Sequence, residues 1–151
     1  MTIRISSGLR AGMMTVYGFQ YLMEYGRIDV YTGEPPSSAD QPPTGTRVAQ
    51  ITNNGDAFLQ GTTQGGLRLV SDVRGSVTKS GVWLLRGLAT GTAGWFRFKW
   101  NARDDNVFSE TVPRIDGRIG EDLFLPTTNM APHVSFELSD FRLTLLAEQE
   151  Q

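Results

Sequence analysis

His133 is the single histidine in this chain of 151 residues, and cysteine is absent. A Ser-His-Asp relay would have to pass through that histidine. Yet no Gly-x-Ser-x-Gly elbow presents a serine, and Cys-His chemistry has no thiol. The same two counts remove the usual zinc ligand sets. His133 follows Pro132 at the start of a predicted strand, where it reads as an exposed or hydrogen-bonded strand-edge residue. Glycoside hydrolysis needs two carboxylates around one bond. Asp104-Asp105 lies in the polar turn from Asn101 to Asn106, and Glu121-Asp122 follows Gly120. Adjacent acids in Gly/Asn-rich turns are ordinary turn residues. Asp104, Asp105 and Asn106 offer oxygen ligands for calcium without the Asp-x-Asp-x-Asp-Gly spacing of a calcium loop. Gly61 and Gly65-Gly66 form a glycine-rich loop with no Lys-Ser/Thr pair after it, so it is not a phosphate-binding loop. The expectation is a protein without catalytic residues, cofactor or metal.

Binding chemistry is better represented. Trp83, Trp95, Trp100 and Tyr31 could stack sugars or bases, or fill a core and a protein interface. Nucleic acid calls for a basic stripe, whereas the formal net charge is −2 and no such stripe exists. Sugar binding stays open. Of the 14 basic residues only Lys79 and Lys99 are lysines. The planar, weakly hydrated guanidinium suits interfacial pairing, and GC-rich coding would give the same bias.

These side chains need elements to position them. The chain is long enough for one domain that buries about two-thirds of its unfolded surface. Seventeen glycines and seven prolines make turns frequent and keep helix a minor component. Stability must come from packing or assembly, because no disulfide can form. No apolar run approaches the roughly 20 residues that span a bilayer, and the start, Met1 to Ser6, lacks a signal-peptide layout. A cytoplasmic site of synthesis and assembly, without membrane, is expected.

The one helix candidate covers residues 6–25. Ser6 or Ser7 can cap it, Leu9, Met13 and Val16 recur at helical spacing, and Met14, Tyr17 and Tyr21 widen the apolar face. Gly26 stands where a left-handed stop is expected. Gly12 and Gly18 weaken the helix, each by up to about 1 kcal/mol, so it must lie on its own sheet or on a neighbouring subunit. Arg27 to Tyr31 alternates as a strand. Residues 32–45 then hold Pro35, Pro36, Pro42 and Pro43, which cannot donate to a ladder. A surface loop of this length is expected to contact a partner or simply to connect.

From 46 to 146 the chain reads as a β-rich body. Thr46–Thr52 ends at Asn53-Asn54-Gly55, and Ala57-Phe58-Leu59 is a short apolar piece. Leu67, Leu69, Ser71 and Val73 alternate, Val82 to Leu85 is a buried run, and Trp95 to Trp100 places Phe96, Phe98 and Trp100 opposite Trp95, Arg97 and Lys99. Asp116-Gly117 signals a hairpin within Arg114–Ile119, and Leu123-Phe124-Leu125 stops at Pro126. Val134, Phe136 and Leu138, then Phe141, Leu143 and Leu145, close the alternation before a polar tail, Glu148 to Gln151. One helix followed by about eight short strands predicts a mainly β single domain over 1–151, a β-sandwich or jelly roll.

Several of these segments resemble, in order, a family of small virion structural proteins of tailed bacteriophages. The Ser6-Ser7-Gly8-Leu9-Arg10 opening leads to Gly26-Arg27-Ile28-Asp29-Val30-Tyr31-Thr32-Gly33, Pro36 and Ala39-Asp40, then Thr44-Gly45-Thr46. Gly91-Thr92-Ala93-Gly94-Trp95-Phe96-Arg97 is similar to a later "G-x-A-x-W-F-R" strand. Asp116-Gly117-Arg118-Ile119-Gly120 with Asp122-Leu123 is similar to a "D-G-x-V-G…D-L" segment, with Ile119 in place of Val. The resemblance implies a head decoration or cement protein, a jelly roll on the capsid surface that ties together major capsid proteins and stabilises the shell. It carries over no catalytic residue, and fold alone does not fix function.

On that reading the partners are the major capsid protein and further copies of the chain, as a homodimer or homotrimer. Leu9, Met13 and Tyr17 of the helix, Arg27, Tyr31 and Arg47 at the strand ends, and Pro35, Pro36, Pro42 and Pro43 are the expected interface residues. A stiff Pro-rich loop loses less entropy on docking, and many modest contacts add up through symmetry. A neck or tail component, or a carbohydrate-binding module on the particle surface, are the alternatives.

Overall fold

The alternating segments assemble into antiparallel sheets in the computed structural model, which describes residues 3–15, 17–71 and 75–144. In chain order the elements are β1 (Arg4–Ile5), α1 (Ser7–Met13), α2 (Phe19–Met23), β2 (Arg27–Thr32), β3 (Arg47–Asn53), β4 (Arg68–Ser71), β5 (Ser76–Ser80), β6 (Trp83–Gly87), β7 (Gly91–Lys99), β8 (Arg114–Arg118), β9 (Asn129–Met130), β10 (Ser135–Glu137) and β11 (Arg142–Thr144). The large sheet runs β1-β8-β7-β2-β3-β6-β10, with β9 paired to the start of β7, and the small sheet runs β11-β5-β4. The fold is mainly β, a sandwich of unequal sheets.

Register decides which face each side chain takes, since directly opposed residues share a face. Ile28 lies opposite Phe98 on one side and Ile51 on the other, and Val30 lies opposite Phe96 and Ala49. Leu85 extends the row from Ile51. All of these are buried. Phe141, just before β11, packs on Trp83, Phe96 and Phe98 with ring centroids 5.1, 6.4 and 6.0 Å away. That aromatic cluster joins the small sheet to the apolar face of the large one. The free edge of β4 is closed by α2: Gln20 Nε2 donates to the Leu69 carbonyl, and Glu24 Oε2 accepts from the Leu69 N–H. Such cover stops a bare strand edge from recruiting another chain.

The expected helix over 6–25 is instead two short helices folded against each other. Leu22 sits over Gly12, where an added Cβ would lie 2.8 Å from Leu22 Cδ1, so the glycine that weakens the helix lets the two pieces cross. Thr15 Oγ1 donates to the Gly12 carbonyl at the end of the first piece. The left-handed residue after α2 is Tyr25 (φ 67°), not Gly26. Gly26 is needed for space: a Cβ there would lie 2.0 Å from the Lys99 carbonyl oxygen.

Two further expectations are corrected. Asp116-Gly117 is not a hairpin turn but the middle of β8, where Asp116 opposes Arg97 and Gly117 opposes Phe96. Leu123-Phe124-Leu125 forms no strand; Leu123 makes a single bridge to Ile119 and Phe124 is exposed. Nothing in the sequence pattern marks β1, β5 or β9. Val16, Val73, Leu145 and the tail from Glu148 lie outside the described residues.

Candidate functional site

The second face of the large sheet is charged, and it is buried. Arg27, Asp29 and Tyr31 of β2 lie opposite Lys99, Arg97 and Trp95 of β7, which lie opposite Arg114, Asp116 and Arg118 of β8. Arg97 grips Asp116 bidentately, Nε to Oδ1 at 2.7 Å and a terminal nitrogen to Oδ2 at 2.9 Å, with both side chains fully buried. Burial pushes the Asp116 carboxyl above its ordinary range against the pull of Arg97. Arg114 holds Asp104 the same way, at 2.9 and 2.7 Å. Burial pushes the Asp104 carboxyl up, but the Arg114 hydrogen bonds, the Asn106 N–H and the charge of Lys99 together bring it below the ordinary carboxylate value.

Two loops cover this face. Residues 33–46, the Pro-rich segment, accept hydrogen bonds from below: Trp95 Nε1 donates to the Thr44 carbonyl, and Arg114 donates to the carbonyls of Ala39 and Asp40. Residues 100–113 lie beside it, joined by the Ser109 N–H to the Asp40 carbonyl. The Asp40 carboxylate in turn accepts from the N–H and hydroxyl of Ser7, tying the start of α1 to the same loop. Thus Asp29, Tyr31, Ala39-Asp40, Trp95, Arg97 and Asp116 build one covered layer.

Several expected interface residues therefore sit inside the molecule. Leu9 is fully buried in the core and Tyr31 is stacked on Trp95, centroids 4.7 Å apart, with 4% of its surface exposed. Neither can touch a partner. Burial, then the charge of Asp29, pushes the Tyr31 hydroxyl up to about 12 against the opposing pull of Arg47, Arg97 and Arg27. Pro36 is buried, Pro35 and Pro43 are half-buried, and Pro42 is exposed, so the loop is packed cover with an exposed tip. Arg27 and Arg47 are partly exposed and both pair with Asp29. Met13 is half-buried against the core.

Of the three expected interface residues in the helix, Leu9, Met13 and Tyr17, Tyr17 alone is exposed. It stacks on Tyr21, with ring planes 8° apart and centroids at 4.7 Å. With Met14 at 86%, Tyr21 at 72% and Tyr17 at 45% exposure, the helical hairpin presents an apolar patch. The sequence shows Met14 and Tyr21 only as a widened helical face; with the helix broken into α1 and α2, both are exposed.

At one end of the charged layer opens a cleft of about 230 Å³, lined by Arg27, Phe58, Leu59, Lys99, Trp100 and Asp104 among others. Lys99 Nζ donates to Asn106 Oδ1 at 2.8 Å, and its ammonium pKa is lowered by burial, against the favourable charges of Asp29 and Asp104. The sequence offers Trp100 as a possible stacking residue and Lys99 only as a member of the same strand; nothing in the local pattern brings Phe58 to them. His133 is exposed and far in role from any acid pair, Glu121 is exposed, and among the described residues no group of three or more potential metal ligands gathers. No family model, curated protein or solved structure matches the chain.

Proposed function

We propose that the chain is a structural, protein-docking domain of a tailed-phage particle, a head decoration protein that seats on the major capsid protein and stiffens the shell. The observation that carries the reading is the patch of Met14, Tyr17 and Tyr21. Stacked aromatic rings held in water are the usual raw material of an interface core, because their burial supplies large apolar area at little entropic cost. Among the described residues these side chains contribute to no core contact, and the helices beneath are anchored by buried Leu9 and Met23. The ordered run of family-like segments supports the same reading. So does the tip of the Pro-rich loop around Pro42, which is held by the bonds through Thr44 and Asp40 and docks without first being ordered.

The test is the copy number and position of this chain in purified particles, with the heat resistance of shells lacking it. A decoration protein appears in numbers close to those of the capsid subunit, and its loss lowers the temperature at which shells open. A ring's worth of copies at the portal would assign the chain to the neck or tail instead. Shells that withstand heat equally well without it end the stabilising role.

A further inference from the structure

The charges around Asp29 do not balance. Arg27 Nε and Arg47 Nε lie 3.0 and 3.1 Å from Asp29 Oδ1, and Lys99 Nζ lies 3.8 Å from Oδ2. One fully buried carboxylate thus serves three cations. Asp104, the other acid acting on Lys99, is already held at both oxygens by Arg114. Arg47 reaches solvent, but Lys99 is buried and Arg27 mostly so; holding these two with too little counter-charge is costly, and the cost falls when an anion completes the set. Arg27 Nε approaches Asp29 without aiming its N–H at it, and that atom has no hydrogen-bond partner among the described residues.

Two of the three cations, Arg27 and Lys99, line the cleft with Phe58, Leu59, Trp100 and Ala102; Gln60 and Asp104 complete the wall, and the Asp104 carboxylate is buried with both oxygens taken by Arg114. The walls are fixed in place. Asn101 Nδ2 donates to the carbonyls of Tyr25 and Thr62, and the Gly61 N–H donates to the Asn101 carbonyl, which staples the loop carrying Phe58 and Leu59 to the end of β7. Trp100 is held by Nε1 donating to the Arg103 carbonyl. The Arg27 guanidinium rests 5.1 Å from the centre of the Phe58 ring, so it is positioned before any ligand arrives.

We infer that this cleft binds a small organic carboxylate, its acid group between Arg27 and Lys99 and its body against Trp100 and Leu59. The volume suits a single ring, not an oligomer. This site is separate from the helical patch and does not depend on the docking reading. The shared chemistry is the carboxylate; the body is either an aromatic ring or a sugar ring.

The test is tryptophan emission of the whole protein, titrated separately with benzoate and glucuronate, each against sodium chloride at matched ionic strength. Trp83 and Trp95 are fully buried, so a change lost in Trp100→Phe reports the cleft. A saturable change with either acid, weakened about tenfold in Arg27→Gln and by added salt, is expected. Benzoate alone assigns the aromatic body, glucuronate alone the sugar. Phe58→Ala, which removes a wall of the cleft but no charge, gives the same answer should Arg27→Gln unfold: its titration weakens while near-ultraviolet dichroism stays native. Traces that follow chloride for both acids overturn the inference. So does inorganic phosphate binding as tightly as either acid, which would leave a nonspecific cation cluster.

Discussion

Arg97 and Asp116 face each other across β7 and β8 as a fork-to-fork pair with no exposed surface on either side chain. An ion pair so placed fixes register: a slip of one residue would put Phe96 or Phe98 among the charges and Arg97 in the core. Its net effect on stability is a separate matter, because desolvating two ions offsets much of their attraction.

That separation is measurable. Asp116→Ala leaves a buried guanidinium with no counter-ion and is expected to cost about 3–5 kcal/mol in urea unfolding. Arg97→Met with Asp116→Leu removes both charges and recovers most of the loss. A double variant as unstable as the single would show the pair to be a net stabiliser.

Ser6 is the second point where distant chain segments meet. Its Oγ accepts from the Leu9 N–H at 3.1 Å and the Arg114 N–H at 2.8 Å, and donates to the Val112 carbonyl at 2.8 Å. One hydroxyl caps α1 and continues the β1–β8 ladder. Ser6→Ala strands two buried N–H groups and the half-buried Val112 carbonyl and is expected to cost about 2–3 kcal/mol, against about 1 kcal/mol for Ser7→Ala. Thermal unfolding of the two variants checks the order; equal losses would reduce Ser6 to an ordinary cap.

The strands marked by alternating apolar residues or by a continuous apolar run are legible in the sequence: β2, β3, β6 and β7 lie where Arg27–Tyr31, Thr46–Thr52, Val82–Leu85 and Trp95–Trp100 indicate. β5, Ser-Val-Thr-Lys-Ser, is not, because a strand with one apolar residue has no period to detect. Asp116-Gly117 misleads because the local signal for a turn is the same dipeptide that here supplies a buried anion and room for the Phe96 ring, 2.6 Å from a Gly117 Cβ. The candidate site was least legible. Alternating Arg and Asp residues normally mark a solvent face. Only the long-range pairing of β2, β7 and β8, and the return of residues 33–46 and 100–113 over them, converts that face into an interior. Tyr31 and Leu9 were assigned outward for want of that information.

Tyr31 carries a test at high pH. Its hydroxyl is buried without a hydrogen-bond partner among the described residues, so Tyr31→Phe is expected to be neutral or stabilising by up to about 1 kcal/mol. The folded hydroxyl ionises at about 12, above the unfolded value of about 10. Stability from the neutral phenol is complete below about pH 10. It is lost as pH rises through the folded value, because the unfolded chain ionises first. The difference in unfolding free energy between wild type and Tyr31→Phe should therefore grow in favour of the variant between about pH 10 and about 12. A flat difference would mean that the ring becomes wetted before it titrates.

On the proposed docking role, the helical hairpin separates stability from binding. Leu9 fills the core, and Leu9→Ala is expected to cost about 2–5 kcal/mol. Tyr17 and Tyr21 stack in solvent on the same hairpin, and replacing both with Gln should alter stability by no more than about 0.5 kcal/mol. The two kinds of change have opposite signatures in a reconstitution assay on shells stripped of this protein. The Tyr17→Gln/Tyr21→Gln variant should fold normally yet occupy shells at least tenfold more weakly, since loss of interface aromatics commonly removes about 2 kcal/mol or more of binding. The Leu9→Ala variant, assayed below its unfolding temperature, should bind almost normally because its surface is unchanged. Normal occupancy by the double tyrosine variant would remove the patch from the interface and leave the exposed tip at Pro42 as the surface to test.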